Sequence, residues 1–433
     1  MLPYSHAAMS ICFLDLFAGA GGLSEGFIQA GGYTPIAHVE MDKAACNTLR
    51  TRVAYHWLVK HGKKELYVQY LLGKISRAEL YNAIPAKVLA SVIEKPIGAQ
   101  TNPEIFREIE QLRKGQQVDL ILGGPPCQAY SLVGRSRVGA SIKEDNRNYL
   151  FLYYVEFLKR YKPKYFVFEN VIGLFSAKDA AGNHFFDQVI KAFDDVNYKA
   201  YPRIVKAEQC GIPQCRHRVI IVGCRKGLAQ DADISIPDNI ECPISIAELL
   251  QDLRFLRAGE GSIRSDGRSG IKSAHWLRTA QIADEDCPVT YHTARPVWEH
   301  DLYIYRKAVE AWNEPVPRRF NYARDLPKEM QTHKNIKSFT DRFKVVDGNA
   351  HAAHTIVAHL QKDGHYYIHP DIRQNRSLTP REAARIQTFP DNFFFEGVRD
   401  ADSRTSAYRQ IGNAVPVVLA RLIAKELKKK YLH

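Results

Sequence analysis

Residues 11–27, ICFLDLFAGAGGLSEGF, pass from a short apolar run through a glycine turn into a helical pattern. An apolar run this short, bounded by glycines, reads as a strand buried on both faces, and the helix after it reads from residue 23 to 30. The same rhythm returns in TPIAHVE followed by MDKAACNTLRTR, in VDLILGG, and in RNYLFLYYVEFLKRY followed by KYFVFEN. Within that last helix Leu150, Phe151, Tyr154, Phe157, Leu158 and Tyr161 recur at three- and four-residue steps and so share one face. Buried strands alternating with amphipathic helices predict an α/β fold, a parallel sheet covered on both sides and wound right-handedly. Sites in such sheets open at the carboxyl ends of the strands.

Two regions break the rhythm. Residues 53–117 read as a long, charged, helical insertion, and residues 225–375 lose the alternation and carry GEGSIRSDGRSG and PVPRRFNYARDLP. The expected organisation is a catalytic and cofactor-binding domain over 10–224 interrupted by that insertion, a second, smaller domain over 225–375, and a return to the first over 376–433. The return ends in a helix whose Val418, Leu419, Leu422, Ile423 and Leu427 share a face. No internal repeat or low-complexity tract is visible.

The chain has 433 residues, and 60 Lys and Arg against 47 Asp and Glu leave a formal charge of +13. That excess favours a polyanionic partner, nucleic acid first, with a merely solvated basic surface as the competing reading. Eight irregularly spaced cysteines do not read as a disulfide framework, and MLPYSHAAMSICFLDLF lacks the basic head and long apolar segment of a secretory signal. No apolar stretch is long enough to span a bilayer, so the expectation is a reduced, cytoplasmic protein without a membrane partner.

The loop DLFAGAGG can bring backbone N–H groups close to a ligand at a helix N-terminus. Glu40 ends the next strand about 20 residues on, where it can accept hydrogen bonds from a ribose. The pair points to a nucleoside-containing cofactor, while the spacing GxGG counts against a dinucleotide. In GGPPCQAYS, residues 123–131, prolines fix the turn before Cys127, so its sulfur projects at a strand end. A thiolate there is a nucleophile for carbon, and a buried inert cysteine is the plain alternative. Glu169 ends YFVFENV at the neighbouring edge, and QCRHRVIIVG adds Arg216 and Arg218, alternate residues of an extended strand expected on one face. A nucleophile, an acid and a cation converge.

Together with RSLTPREAARIQTFPDNF and GNAVPVVLA, these stretches make six ordered motifs running from residue 14 to about 420. In them the chain resembles the DNA (cytosine-5)-methyltransferases of bacterial restriction-modification systems. The resemblance implies a Rossmann-like, S-adenosylmethionine-dependent methyltransferase sheet with a smaller target recognition domain. It implies that Cys127 adds to C6 of a cytosine flipped out of duplex DNA, so that C5 can take the methyl group. It assigns Glu169 to N3, Arg218 to the carbonyl edge, Arg216 to its support and Pro126 to the turn beneath the thiol. For the cofactor it assigns Phe17 and Met41 to the adenine faces, Ala18, Gly19, Gly21 and Gly22 to close backbone approach, Glu40 to the ribose, and Asn413 to the same pocket. The family's Asp at the adenine edge is replaced by Pro96, in EKPIG. Arg135, Arg137 and Lys143 lie in a basic stretch after the thiol and would meet phosphates. A monomer at the nucleoid, with a companion restriction endonuclease acting on the same site, completes the expectation.

Exocyclic amino methyltransferases share the fold, but Gly124 stands here at their acid position and Cys127 at their aromatic one. An RNA cytosine-5 methyltransferase of the same family is the alternative, and a DNA-binding module without catalysis would not need Cys127, Glu169 and Arg218 together. Cys210, Cys215, His217 and Cys224 are separated by the strand RVIIVG and lack the spacing of paired zinc knuckles, and the histidines 351, 354, 359, 365 and 369 cluster around DGHYYIHPD, which reads as a hairpin with solvated edges, so no metal is expected. The bases should be read from residues 260–350, where Arg, Gln or Asn can reach the major groove.

Overall fold

Strand β1 (Ile11–Leu16) is buried along its whole length, and its side chains alternate between two cores. Ile11 and Phe13 face one core with Phe27 of helix α1 (Gly22–Ala30), while Cys12, Leu14 and Leu16 face the other with Phe157 and Leu158. This double burial is why the run reads as continuously apolar. The structure is a computed structural model and describes residues 10–126, 149–228, 231–333, 336–399 and 403–432.

Six further strands complete the sheet: β2 (Tyr33–Glu40), β3 (Val92–Glu94), β4 (Leu120–Gly123), β5 (Tyr165–Val171), β6 (Tyr198–Lys206) and β8 (His217–Arg225). Their order is β3-β2-β1-β4-β5-β8-β6, and β8 runs antiparallel to both its neighbours while β1 to β5 are mutually parallel. The expectation of a wholly parallel sheet thus needs one correction. Only residues 207–216, including the short strand β7 (Gln214–Cys215), join β6 to β8, too few for a crossover helix, so the chain must reverse.

The expected insertion also differs in detail. Helix α2 (Lys43–Lys60) runs unbroken through residue 53, and Gly62, at φ +69°, follows its end. Residues 64–113 then include β3, which extends the sheet beyond β2. The helical part, with Arg52 of α2, clamps the C-terminal return: Tyr67 donates to the Asn392 carbonyl at 2.8 Å, Arg52 to Asn392 Oδ1 at 2.8 Å, and Tyr70 to Glu396.

Within the expected second domain the core divides. Ile234, Ile246, Leu277 and Tyr291 join the same core as α1 and the C-terminal helix Val417–Leu432, whereas Ile304, Val309, Phe320, Phe343, Val345 and Ile368 form a separate one. Arginines from RSLTPREAARIQ explain the attachment. Arg385 pairs with Asp252 and, at 2.7 Å, with Asp391, and Arg381 donates to the carbonyls of Thr290 and Phe393 at 2.8 Å. Removing one partner of such a fully buried pair costs about 3–5 kcal/mol, because the other charge is left stranded.

Candidate active site

The carboxyl ends of β1, β2, β4 and β5 and the start of β8 meet at one edge of the sheet. After β4 the chain turns through Gly124, Pro125 and Pro126, and Pro126 is exposed. Cys127, and with it Arg135, Arg137 and Lys143, lies outside the described residues. Glu169 on β5 and Arg218 on β8 form an ion pair, Arg218 Nε to Glu169 Oε1 at 2.8 Å, and both side chains are 15% exposed. A Cβ placed on Gly124 would stand 2.9 Å from Glu169 Oε2. Glycine at that turn leaves the carboxyl group this position, and any side chain there would require the carboxyl end to move.

Arg216 does something different from Arg218. It sits between β7 and β8, is 1% exposed, and donates to the backbone carbonyls of Ile356 at 3.0 Å and Gly412 at 3.4 Å. Burial, then the neighbouring Arg218, push its guanidinium well below the usual arginine range. It braces the segment after β11 (Ala353–His354) and the end of helix Arg404–Asn413 behind the acid–arginine pair. Gln214 works alongside it, accepting from Ile356 N at 2.9 Å and donating to Gln387 at 3.0 Å. Gln214, within QCRHRVIIVG, gives no sign of this role in the sequence, since a glutamine beside two arginines carries no signal of burial.

The glycine loop closes around Glu40. Gly19 N–H donates to Glu40 Oε2 at 2.8 Å, and the N–H groups of Met41 and Asp42 donate to Oε1, each at 2.8 Å. Burial nevertheless raises the Glu40 carboxyl above its ordinary value, with these backbone bonds pulling the other way. Phe17 takes φ +54°, a strained conformation for an aromatic residue, and Ala18 N–H holds the loop to the Val39 carbonyl at 3.1 Å. Among the described residues, and apart from its chain neighbours, no atom lies within 4 Å of a Cβ built on Gly19, so that side of the loop is open to them. Met41, beside it, is 67% exposed. An open glycine face, an anchored carboxylate with lone pairs to spare and a bare apolar side chain fit a nucleoside.

Gly21, at φ +85°, caps α1, and a Cβ on Gly22 would meet the Val415 carbonyl at 2.4 Å. The chain after the exposed Asn413 therefore crosses directly over the loop. Pro96 follows β3, and Glu94 at the end of that strand is engaged by Arg50 at 2.8 Å.

The open glycine loop anchored on Glu40 lies on one side of the point where the strand order reverses and the Glu169–Arg218 pair on the other, the place where open α/β sheets take their ligands. The description C-5 cytosine-specific DNA methylase matches residues 11–66 and 86–429, and the chain belongs to that family. It is 38% identical to the Type II methyltransferase M.Bpa9945I of Bacillus paralicheniformis, over 96% of this chain and 98% of that one. It is 29% identical to M.DdeI of Desulfomicrobium norvegicum over 96% and 88% of the two chains. In fold it is similar to the crystal structure of a DNA modification methyltransferase encoded within an E. coli prophage, with a TM-score of 0.62, 21% identity, and 98% and 100% of the chains covered. The protein is a DNA cytosine-5 methyltransferase. Among the described residues no helix is long and apolar enough to cross a membrane.

Proposed function

We propose that this enzyme methylates C5 of a cytosine flipped out of a specific duplex sequence, through a covalent bond between Cys127 and C6, with S-adenosylmethionine as methyl donor. The observation that carries the reading is the Glu169–Arg218 pair beside the crowded Gly124. Cytosine C5 is a poor nucleophile until a thiolate adds to C6 and turns the ring into an enamine. Glu169, steadied by Arg218 through Oε1, holds the protonated ring N3 with Oε2, so that this proton balances the charge the thiolate brings as sulfur adds, and it leaves N3 again on elimination. Arg218 lies where the carbonyl edge of the ring would follow. Bound at Glu40, Gly19, Phe17 and Met41, S-adenosylmethionine supplies a methyl group on a sulfonium that C5 can attack. The C5 proton then leaves to water, and elimination breaks the C6–S bond and restores the aromatic ring and the thiol. A duplex cannot offer its ring to these groups without flipping the base.

The Type II names of the relatives support a restriction-modification setting, with a companion endonuclease cutting the same site and this chain acting as a cytoplasmic monomer on nucleoid DNA. The test is a cognate duplex carrying fluorine at the target C5. Addition and methyl transfer proceed, but fluorine cannot leave as a cation, so a denaturant-resistant adduct on the Cys127 peptide is expected, and none with Cys127→Ser. Methylation of ordinary DNA without any such adduct would refute the covalent route. Methylation of RNA in preference to DNA would establish the alternative substrate.

A further inference from the structure

A cavity of about 580 Å³ opens beside the catalytic edge, between β11 with the residues after it and the separate core of residues 304–368. It adjoins the active site through two bonds: Thr355 Oγ1 donates to the Cys215 carbonyl, and Arg216 holds the Ile356 carbonyl at 3.0 Å. Its walls are aromatic and cationic, with Trp312, Phe320, Tyr366, Arg319 and Lys344 among them. Asp341 serves both Lys344 at 2.8 Å and Arg319 at 3.7 Å, Asp363 holds Arg342, and Asp347 adds a carboxylate to the wall, so the cations are matched and the 67% exposed Arg319 is the one most loosely held.

His354 lines this cavity, stacked on Tyr367 with ring centroids 4.9 Å apart and planes 20° apart. Its Nε2 bonds to the Tyr366 carbonyl, and a carbonyl can only accept, so Nε2 carries the proton. In the neutral ring Nδ1 is then a pure acceptor. Burial disfavours the charged ring, and Lys344 and Arg319 add to that. The tautomer is thus fixed by backbone geometry, as in histidines whose second nitrogen is committed to a carbonyl.

We infer that His354 is a specificity-determining residue, whose Nδ1 accepts a hydrogen bond from the exocyclic amino group of a base near the target cytosine while Arg319 holds a neighbouring phosphate. The inference rests on the DNA reading above. In the major groove adenine N6 and cytosine N4 are donors, whereas guanine O6 and thymine O4 are acceptors. An acceptor locked in place pairs with the first two and repels the others, so it selects amino-bearing bases. Arg319, 67% exposed and held by Asp341 only at 3.7 Å, supplies the cation for the backbone beside that base.

The experiment offers the full chain and S-adenosylmethionine a library of unmethylated duplexes of random sequence, then maps methylation by bisulfite sequencing. For His354→Ala the preference for A or C over G or T should collapse at one position by roughly ten- to a hundredfold, with other positions unchanged. His354→Gln, whose amide oxygen can accept, should keep part of the preference. A lower rate with an unchanged sequence profile would overturn the assignment, because a merely structural role slows all sites alike. If the unaltered protein methylates no cytosine in any duplex, the DNA reading itself falls and takes this inference with it. Arg319→Ala changes a side chain that is 67% exposed and tests the cavity independently of the histidine's fold. It should weaken all duplexes alike and reduce the log–log salt slope of binding by about 1, and an unchanged slope would remove DNA from the cavity.

Discussion

Gly124 shows how much of this site depends on an absent side chain. Its missing Cβ leaves Glu169 Oε2 room at 2.9 Å, on the oxygen that Arg218 does not hold. Gly124→Ala should therefore fold with little change in melting temperature yet lose activity by on the order of 100-fold, the scale of a misplaced catalytic group. Steady-state kinetics beside a thermal melt checks this, and full activity would mean that the carboxyl group can move aside at no cost. That Glu169 and Arg218 meet was legible because Glu169 ends one apolar run and Arg218 begins another, and residues at such strand ends of an α/β sheet face its cleft, whereas Cys127 lies outside the described residues. Arg216 was legible as a member of the cluster but not in its role. Alternation along an extended strand predicts a shared face with Arg218, whereas the break between β7 and β8 turns Arg216 inward to two carbonyls.

At the scale of elements, α1 and the C-terminal helix Val417–Leu432 are joined through Gly26. A Cβ there would meet Ala420 Cβ at 2.4 Å, the Val417 carbonyl at 2.5 Å and Arg421 N at 2.6 Å. Alanine in a helix interior normally gains up to about 1 kcal/mol over glycine, but here three atoms, two of them backbone, must move, and overpacking costs about 1–3 kcal/mol. The clash should win, so Gly26→Ala is expected to lower the melting temperature by a few degrees. It should also weaken cofactor binding, because Val415, just before that helix, crosses the glycine loop at Gly22. A higher melting temperature, with cofactor affinity unchanged by calorimetry, would refute this. The apolar face of the last helix was readable from its spacing. Its partner was not, since nothing local says that residue 420 returns to residue 26. The division of residues 225–375 between two cores was hidden for the same reason. Its cause is a set of buried ion pairs formed across long stretches of chain, such as Arg385 with Asp252.

The whole molecule is held together by that polar network, and its response to acid follows from two histidines inside it. His369 Nδ1 accepts from Asp371 N–H at 3.1 Å, and His292 Nε2 bonds to the Arg254 carbonyl at 2.7 Å, both beside Arg376 and Glu382. Burial, with Arg376 acting against a second positive charge, lowers each from 6.5 to about 4. Between those values the unfolded chain binds protons that the fold refuses, so stability is full above pH 6.5 and falls as acid is added. Glu25 and Glu382, lowered below the usual carboxylate range, act in the same sense at more acidic pH. Glu40 and Glu396, raised by burial, act against it. Two large histidine shifts in the window above ordinary carboxylate titration should outweigh them, at about 2 kcal/mol per histidine at pH 5. The melting temperature should therefore drop between pH 7 and pH 5, and His369→Gln, which keeps an acceptor for the Asp371 N–H, should remove a part of that drop, the rest staying with His292 and with His354 and His365, which burial also lowers. Melts of the two proteins across this range decide the matter: a variant with the full pH dependence of the parent would show that the protons are taken up elsewhere.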